Sequence, residues 1–137
     1  MTKKDLISYW LTTADEDFET AEELFKLKKY HHSLFFCHTA LERLLKGLIF
    51  KKTHSHALPI HNLVKLSQQA QLKLTPQIQL DFDEITTWNI RARYDNIKRE
   101  FYKKATKEFA ENWFKKAKRI FIWLKNQWIK AKKHERN

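Results

Sequence analysis

The fold is decided by one stretch, LFFCHTALERLLKGL at residues 34–48. Its apolar residues recur at steps of three and four, which places them on one face of an α-helix. They are Leu34, Cys37, Leu41, Leu44, Leu45 and Leu48. This pattern predicts a helix over about residues 31–51. Gly47 lies inside it, where Gly costs about 1 kcal/mol relative to Ala, so either a close helix crossing or chance explains its presence.

A second apolar stripe precedes this helix and predicts another over about residues 4–28. Its members are Leu6, Trp10, Ala14, Phe18, Ala21 and Phe25. Downstream we expect a loop over residues 52–60 and a short helix that carries Leu63. Another helix should start at Thr75-Pro76. Residues 89–105 are predicted to be irregular or only partly helical, and a last long helix should run from residue 106 to about 132.

Composition supports an all-α fold. The 137 residues include one Gly and two Pro, too few for the tight turns that a strand-rich fold needs. The length suits one domain, which we predict to span residues 1–137 with a charged tail at 130–137. The single cysteine, Cys37, can form no internal disulfide.

Charge is unevenly distributed along the chain. The net charge is +11, while residues 1–27 hold seven acids against three lysines and residues 98–137 hold fourteen bases against four acids. A basic C-terminal half suits a polyanion such as RNA, but a solvated lysine-rich face would give the same composition. The sequence leaves both interpretations open.

Neither a signal peptide nor a membrane span is predicted. The N-terminus has no apolar run of the length that a signal peptide needs, and no window approaches the roughly 20 apolar residues of a spanning helix. We therefore expect a cytoplasmic protein without membrane association.

The last helix carries more apolar residues than one stripe requires. Phe114, Phe121, Ile122 and Trp123 widen its face beyond the core positions. Wide apolar faces on short chains usually meet a partner, so we expect a homodimer.

Four stretches, in order, resemble the HEPN family. They are ADEDFETAEEL at residues 14–24, HTALERLLK at 38–46, HNLVKL at 61–66 and ARYD at 92–95. The resemblance implies an up-and-down bundle of four main helices plus a short one, and a dimer. It also implies frequent pairing with a minimal nucleotidyltransferase in a toxin–antitoxin operon. Two activities are known in the family: metal-independent RNA cleavage, and binding of nucleotide or nucleic acid without cleavage.

The cleaving members carry an R-x(4–6)-H motif that this chain lacks. Arg91 and Arg93 occupy about the right place, but the next histidine is His134. We therefore predict a module that binds RNA or nucleotide and a protein partner without efficient cleavage. Two alternatives remain. One is a ribonuclease that uses Arg93 with His38 or His61 as a displaced acid–base group, and the other is a helical adaptor that binds only protein.

Six residues form the predicted binding site: Arg91, Arg93, Tyr94, His38, Glu42 and Lys46. The two guanidinium groups could grip phosphate bidentately, and Tyr94 could stack on a base. Alternatively, one arginine could tie its loop to Asp17 or Glu42, with Tyr94 in the core.

The other three site residues are spaced i, i+4, i+8, which puts them on one helix face. His38, Glu42 and Lys46 could line a polar cleft together with the arginine segment. An ordinary surface Glu–Lys pair would show the same spacing.

No metal or cofactor is predicted. His54, His56 and His61 form a small cluster, but it lacks the cysteine or acidic ligands and the regular spacing of zinc sites. A glycine-rich phosphate loop is excluded because the single glycine lies within a helix.

Overall fold

The structure is a computed structural model that describes residues 1–91 and 95–135, with side chains described for residues 1–89 and 97–131. Its six helices are α1 (Lys3–Lys26), α2 (Tyr30–Thr53), α3 (Leu63–Gln69), α4 (Pro76–Arg91), α5 (Asp95–Lys104) and α6 (Lys107–Glu135). These described residues contain no strand. The predicted all-α class is confirmed.

The first two helices form a hairpin with well-defined ends. The Thr2 side chain accepts a hydrogen bond from the Asp5 backbone N–H, and the Asp5 carboxylate accepts one from the Thr2 backbone N–H. This capping box satisfies two of the free N–H groups at the start of α1. The turn after α1 contains Lys28 in the left-handed region at φ 62°. It is short enough to bring α2 back alongside α1.

Helix α2 is the centre of the bundle and packs against α1, α3, α4 and α6. The apolar stripe predicted over residues 34–48 is fully buried. At Gly47, an added Cβ would lie 2.5 Å from the Trp10 Cβ and 2.5 Å from the Trp128 Cζ2. No Cβ fits at such a distance, so a close crossing of α1, α2 and α6 requires this glycine.

Helix α5 extends the helical structure beyond what the sequence predicted. It occupies residues 95–104, inside the segment expected to be irregular or partly helical, and α4 continues to Arg91. The predicted charged tail at 130–137 also begins inside α6, which ends at Glu135. Phe101 anchors α5, since its side chain is buried in the core.

The aromatic residues of α6 pack within the chain, contrary to the reason given for a homodimer. Phe121 stacks on Phe18 with ring centroids 4.6 Å apart, and Phe114 stacks on Phe25 at 4.8 Å. The wide face of α6 is therefore matched by an aromatic face on α1. The homodimer stays a prediction, but Phe114 and Phe121 do not support it.

No helix in the described part of the chain is both long and apolar enough to cross a membrane.

Candidate functional site

The three predicted site residues of α2 lie together around the Glu42 carboxylate. Lys46 Nζ lies 3.1 Å from Glu42 Oε2, and His38 Nε2 lies 3.9 Å from Glu42 Oε1. The shared face predicted from the spacing is present. We call this group, with His61, the Glu42 cluster.

His61 joins the cluster from the loop before α3. Its Nδ1 lies 2.8 Å from Glu42 Oε1, and its backbone carbonyl accepts a hydrogen bond from His38 Nε2 at 3.0 Å. His38 is fully buried and Glu42 is 12% exposed, whereas the His61 side chain is 45% exposed. The cluster fixes the start of α3 against α2 and partly neutralises the Lys46 charge.

Asp17, expected as a possible partner of Arg91 or Arg93, forms an ion pair with Arg43. The distance between Arg43 Nη1 and Asp17 Oδ2 is 3.2 Å. Burial nevertheless raises the Asp17 pKa, because loss of hydration outweighs the attraction of the Arg43 guanidinium.

The arginine segment lies outside what the structure describes. Arg93 and Tyr94 belong to the undescribed residues 92–94, and for Arg91 only the backbone at the end of α4 is described. Their contacts with each other and with the Glu42 cluster therefore stay predictions. The segment directly precedes α5, whose described residues line a second site.

This second site is a strongly basic pocket of about 500 Å³ where α2, α5 and α6 meet. Its cationic side chains are Lys28, Lys29, Lys103 and Lys107. Among the described residues that line it there is no Asp or Glu. We call it the first basic pocket.

The N-terminus of α2 opens into the first basic pocket. The N-cap residue Lys29 makes no side-chain capping hydrogen bond, and the first turn of α2 holds no acidic residue. Backbone N–H groups and the helix dipole at such an end favour an anion. The N-terminus of α6 lines the same pocket through Thr106 and Lys107, although its first turn also contains Glu108.

A second basic pocket of about 390 Å³ adjoins the first. It is lined by His31, Lys98, Arg99 and Tyr102, and its described lining again contains no carboxylate. His31 and Tyr102 line both pockets. Together the two pockets form what we call the basic groove.

His31 is partly buried and lies close to several cationic groups of the groove. Its pKa is lowered from 6.5 to about 4, chiefly by burial and then by the positive charges of His32, Lys98 and Lys29. The pKa of His32 is lowered by burial, Lys98 and Lys29. An anion bound here would relieve part of this repulsion.

Family comparison agrees with the arrangement of helices. The profile of the HEPN domain family matches residues 7–127, nearly the whole chain. The chain belongs to the HEPN family. This membership confirms the resemblance drawn from the four motifs and the all-α fold. Searches among curated proteins and among solved structures gave no significant match.

No three His, Cys, Asp or Glu side chains in the described parts of this HEPN domain are grouped so as to hold a metal ion. Cys37 is buried, and burial raises its thiol pKa, which suppresses the nucleophilic thiolate.

Sequence reasoning missed the basic groove. The helices predicted over about residues 4–28 and 31–51 leave Lys29 and Tyr30 only as the joint between them, and residues 89–105 are predicted to be irregular or only partly helical. The sequence does contain one indication of the groove. Tyr102 lies among Lys98, Arg99 and Lys103, and an aromatic residue among basic residues is typical of nucleic-acid-binding surfaces.

Proposed function

We propose that this HEPN domain binds the phosphate groups of RNA or of a nucleotide in the basic groove. One observation carries the proposal: the uncapped, acid-free N-terminus of α2 opens into a pocket with four lysines and no carboxylate in its described lining. Helix N-termini and lysines are both phosphate ligands.

The family supports this class of function, since HEPN domains are nucleotide- or RNA-related modules. The lack of the R-x(4–6)-H motif favours binding over cleavage. In this proposal Arg91 and Arg93 contribute further phosphate contacts and Tyr94 contributes a contact to a base, as the sequence predicts. His38 and Glu42 hold the start of α3 through His61, and their predicted part in ligand binding, with that of Lys46, belongs to the same proposal.

Paired lysine variants test the proposal. Lys98→Ala/Lys103→Ala removes two charges from the groove, while Lys65→Ala/Lys73→Ala removes two exposed charges elsewhere. We expect the groove variant to bind single-stranded RNA more weakly than the control variant. Its slope of log K against log salt should shrink by about 0.7 for each phosphate that the variant no longer neutralises. Equal weakening in the two folded variants would show that the surface is only generally basic.

A second candidate function is RNA cleavage with a displaced acid–base group. The structure distinguishes the two histidines considered for this role, because His38 is fully buried whereas His61 is half-exposed. The 2.8 Å contact between His61 Nδ1 and the Glu42 carboxylate resembles the orientation of a general base. Metal-independent cleavage by the purified protein that is abolished by His61→Ala would favour this function over simple binding.

We also propose a homodimer and a minimal nucleotidyltransferase partner in a toxin–antitoxin pair. Both follow from the family resemblance rather than from an observed interface. Ile122 and Ile129 on α6 are 52% and 56% exposed and offer apolar surface for such contacts. Light scattering of the wild type and of Ile122→Glu/Ile129→Glu would test the homodimer. We expect the substitutions to shift a dimer toward monomer.

A further inference from the structure

We propose that the basic groove selects single-stranded RNA by stacking an unpaired base on the ring of Tyr102. The inference rests on the proposed function, because it names the form of RNA that the phosphate-binding groove accepts. It assigns Tyr102 a role that phosphate binding alone does not require.

Tyr102 forms a ridge between the two basic pockets, since its side chain lines both of them. Lys28, Lys29 and Lys107 lie in the first pocket, and Lys98 and Arg99 in the second. A strand that crosses the ridge can therefore place phosphates on both sides of one aromatic ring. Cationic grooves with aromatic platforms are typical of proteins that bind single strands.

The ring of Tyr102 is exposed to solvent and is also held by a contact with a neighbouring ring. Tyr102 is 65% exposed, which leaves room for a base on its surface. His31 packs edge-to-face against it, with ring centroids 5.1 Å apart and planes at 80°. His32 contacts His31 in turn, with ring centroids 3.9 Å apart. The contact with His31 limits the movement of Tyr102, so that less rotational freedom is lost when a base stacks.

His31 supports the ring without adding charge. Its burial, and after that the positive groups around it, hold its pKa near 4, so the imidazole is neutral at neutral pH. With His31 neutral, the positive charge of the groove comes from its lysine and arginine side chains, and the rings of Tyr102 and His31 provide apolar contact. In a duplex the bases are paired and stacked on one another, and their faces cannot reach Tyr102.

Fluorescence titration with a short single-stranded RNA containing 2-aminopurine tests the inference. Stacking on Tyr102 should quench the probe. Tyr102→Ala should lose the quenching and bind about tenfold more weakly, whereas Tyr102→Phe should keep both properties because it keeps the ring. The matched control is Tyr9→Ala, which removes an exposed tyrosine of α1 and should change neither. Inorganic polyphosphate should bind Tyr102→Ala and the wild type equally well.

Two outcomes would overturn the inference, and they are distinguishable. If Tyr102→Ala retains wild-type affinity and quenching while Lys98→Ala/Lys103→Ala weakens binding, the groove holds phosphate and Tyr102 does not stack. If Tyr102→Phe loses as much as Tyr102→Ala, the hydroxyl group and not the ring is responsible. Failure of single-stranded RNA, duplex RNA and polyphosphate all to bind the wild type would instead contradict the proposed function itself.

Discussion

The first turn of helix α2 and its second half both lie among charged side chains, but only in the second half do these charges pair with one another. The first turn of α2 carries His31 and His32 beside the lysines of the basic groove, whose described lining contains no carboxylate, although Lys107 pairs with Glu111 outside that lining at 4.0 Å. Its second half carries Glu42 and Lys46, whose charges are paired and largely buried. Charges that satisfy one another stabilise the fold, whereas like charges gathered at a surface remain ready for a ligand of opposite sign.

The largest effect on stability is expected from a substitution at Gly47, in the second half of α2. Gly47→Val would force a side chain into the crossing occupied by Trp10 and Trp128. We expect it to lower the free energy of unfolding by about 3 kcal/mol, measured by urea denaturation. Gly47→Ala should also destabilise the fold, because its Cβ meets the same atoms, but by less, since it adds one carbon instead of three and recovers about 1 kcal/mol of helix propensity.

The control for Gly47→Val introduces a valine at an exposed position of a helix. Lys115→Val in α6 should change stability by only about 0.5 kcal/mol. Comparable losses at positions 47 and 115 would contradict the close crossing.

A smaller loss is expected when the Glu42 cluster is disrupted. Glu42→Gln keeps the shape of the side chain but removes the charge that faces Lys46 and His61. We expect the free energy of unfolding to fall by about 1–3 kcal/mol, as measured by thermal denaturation. Glu19→Gln, on the exposed face of α1, is the matched control. If both substitutions are neutral, the cluster does not stabilise the fold and the contrast within α2 disappears.

The smallest effect on stability is expected from His31 in the first turn of α2, and it depends on pH. The folded-state pKa of His31 is about 4, below its ordinary 6.5. As the pH falls below 6.5, the unfolded chain takes up a proton before the folded protein does, so stability is lost between pH 6.5 and about 4. The groups that face His31 are His32, Lys29, Lys98 and Tyr102.

His31→Asn removes this contribution. The melting temperature of the variant relative to the wild type should therefore rise as the pH is lowered from 7.5 to 5. If the melting temperatures of the two proteins change in parallel over this range, the burial and the positive surroundings of His31 do not affect folding.

The sequence predicted the long helices because their apolar stripes extend over several turns. Residues 34–48 and the stripe of α1 both led to boundaries close to those observed. For residues 89–105 the sequence predicted no more than partial helix, because the ten residues of α5 contain only Ile97 and Phe101 as an apolar pair one turn apart. Such a short pattern does not distinguish a helix from a loop.

For the candidate site, the spacing of residues within one helix predicted that His38, Glu42 and Lys46 lie together. Such spacing cannot predict contacts between segments that are distant in the sequence. Tyr102 is about seventy positions from His31 in the sequence, and only the fold brings their rings together. For the same reason the apolar width of α6 suggested a dimer, although Phe18 and Phe25 of α1 cover Phe114 and Phe121. Periodicity predicts which face is buried but not which helix covers it.

The indole of Trp128 provides a single proton that reports on the packing of the bundle. Its Nε1–H donates to the carbonyl of Leu44 at 3.0 Å, inside the contact between α2 and α6. The Lys51 ammonium donates to the Trp128 carbonyl at 2.9 Å and covers the same contact. Exchange of this proton with deuterium requires α6 to separate from α2, so its rate measures that opening without any label. In an NMR spectrum it would show whether the RNA proposed to bind in the basic groove tightens the contact between α2 and α6.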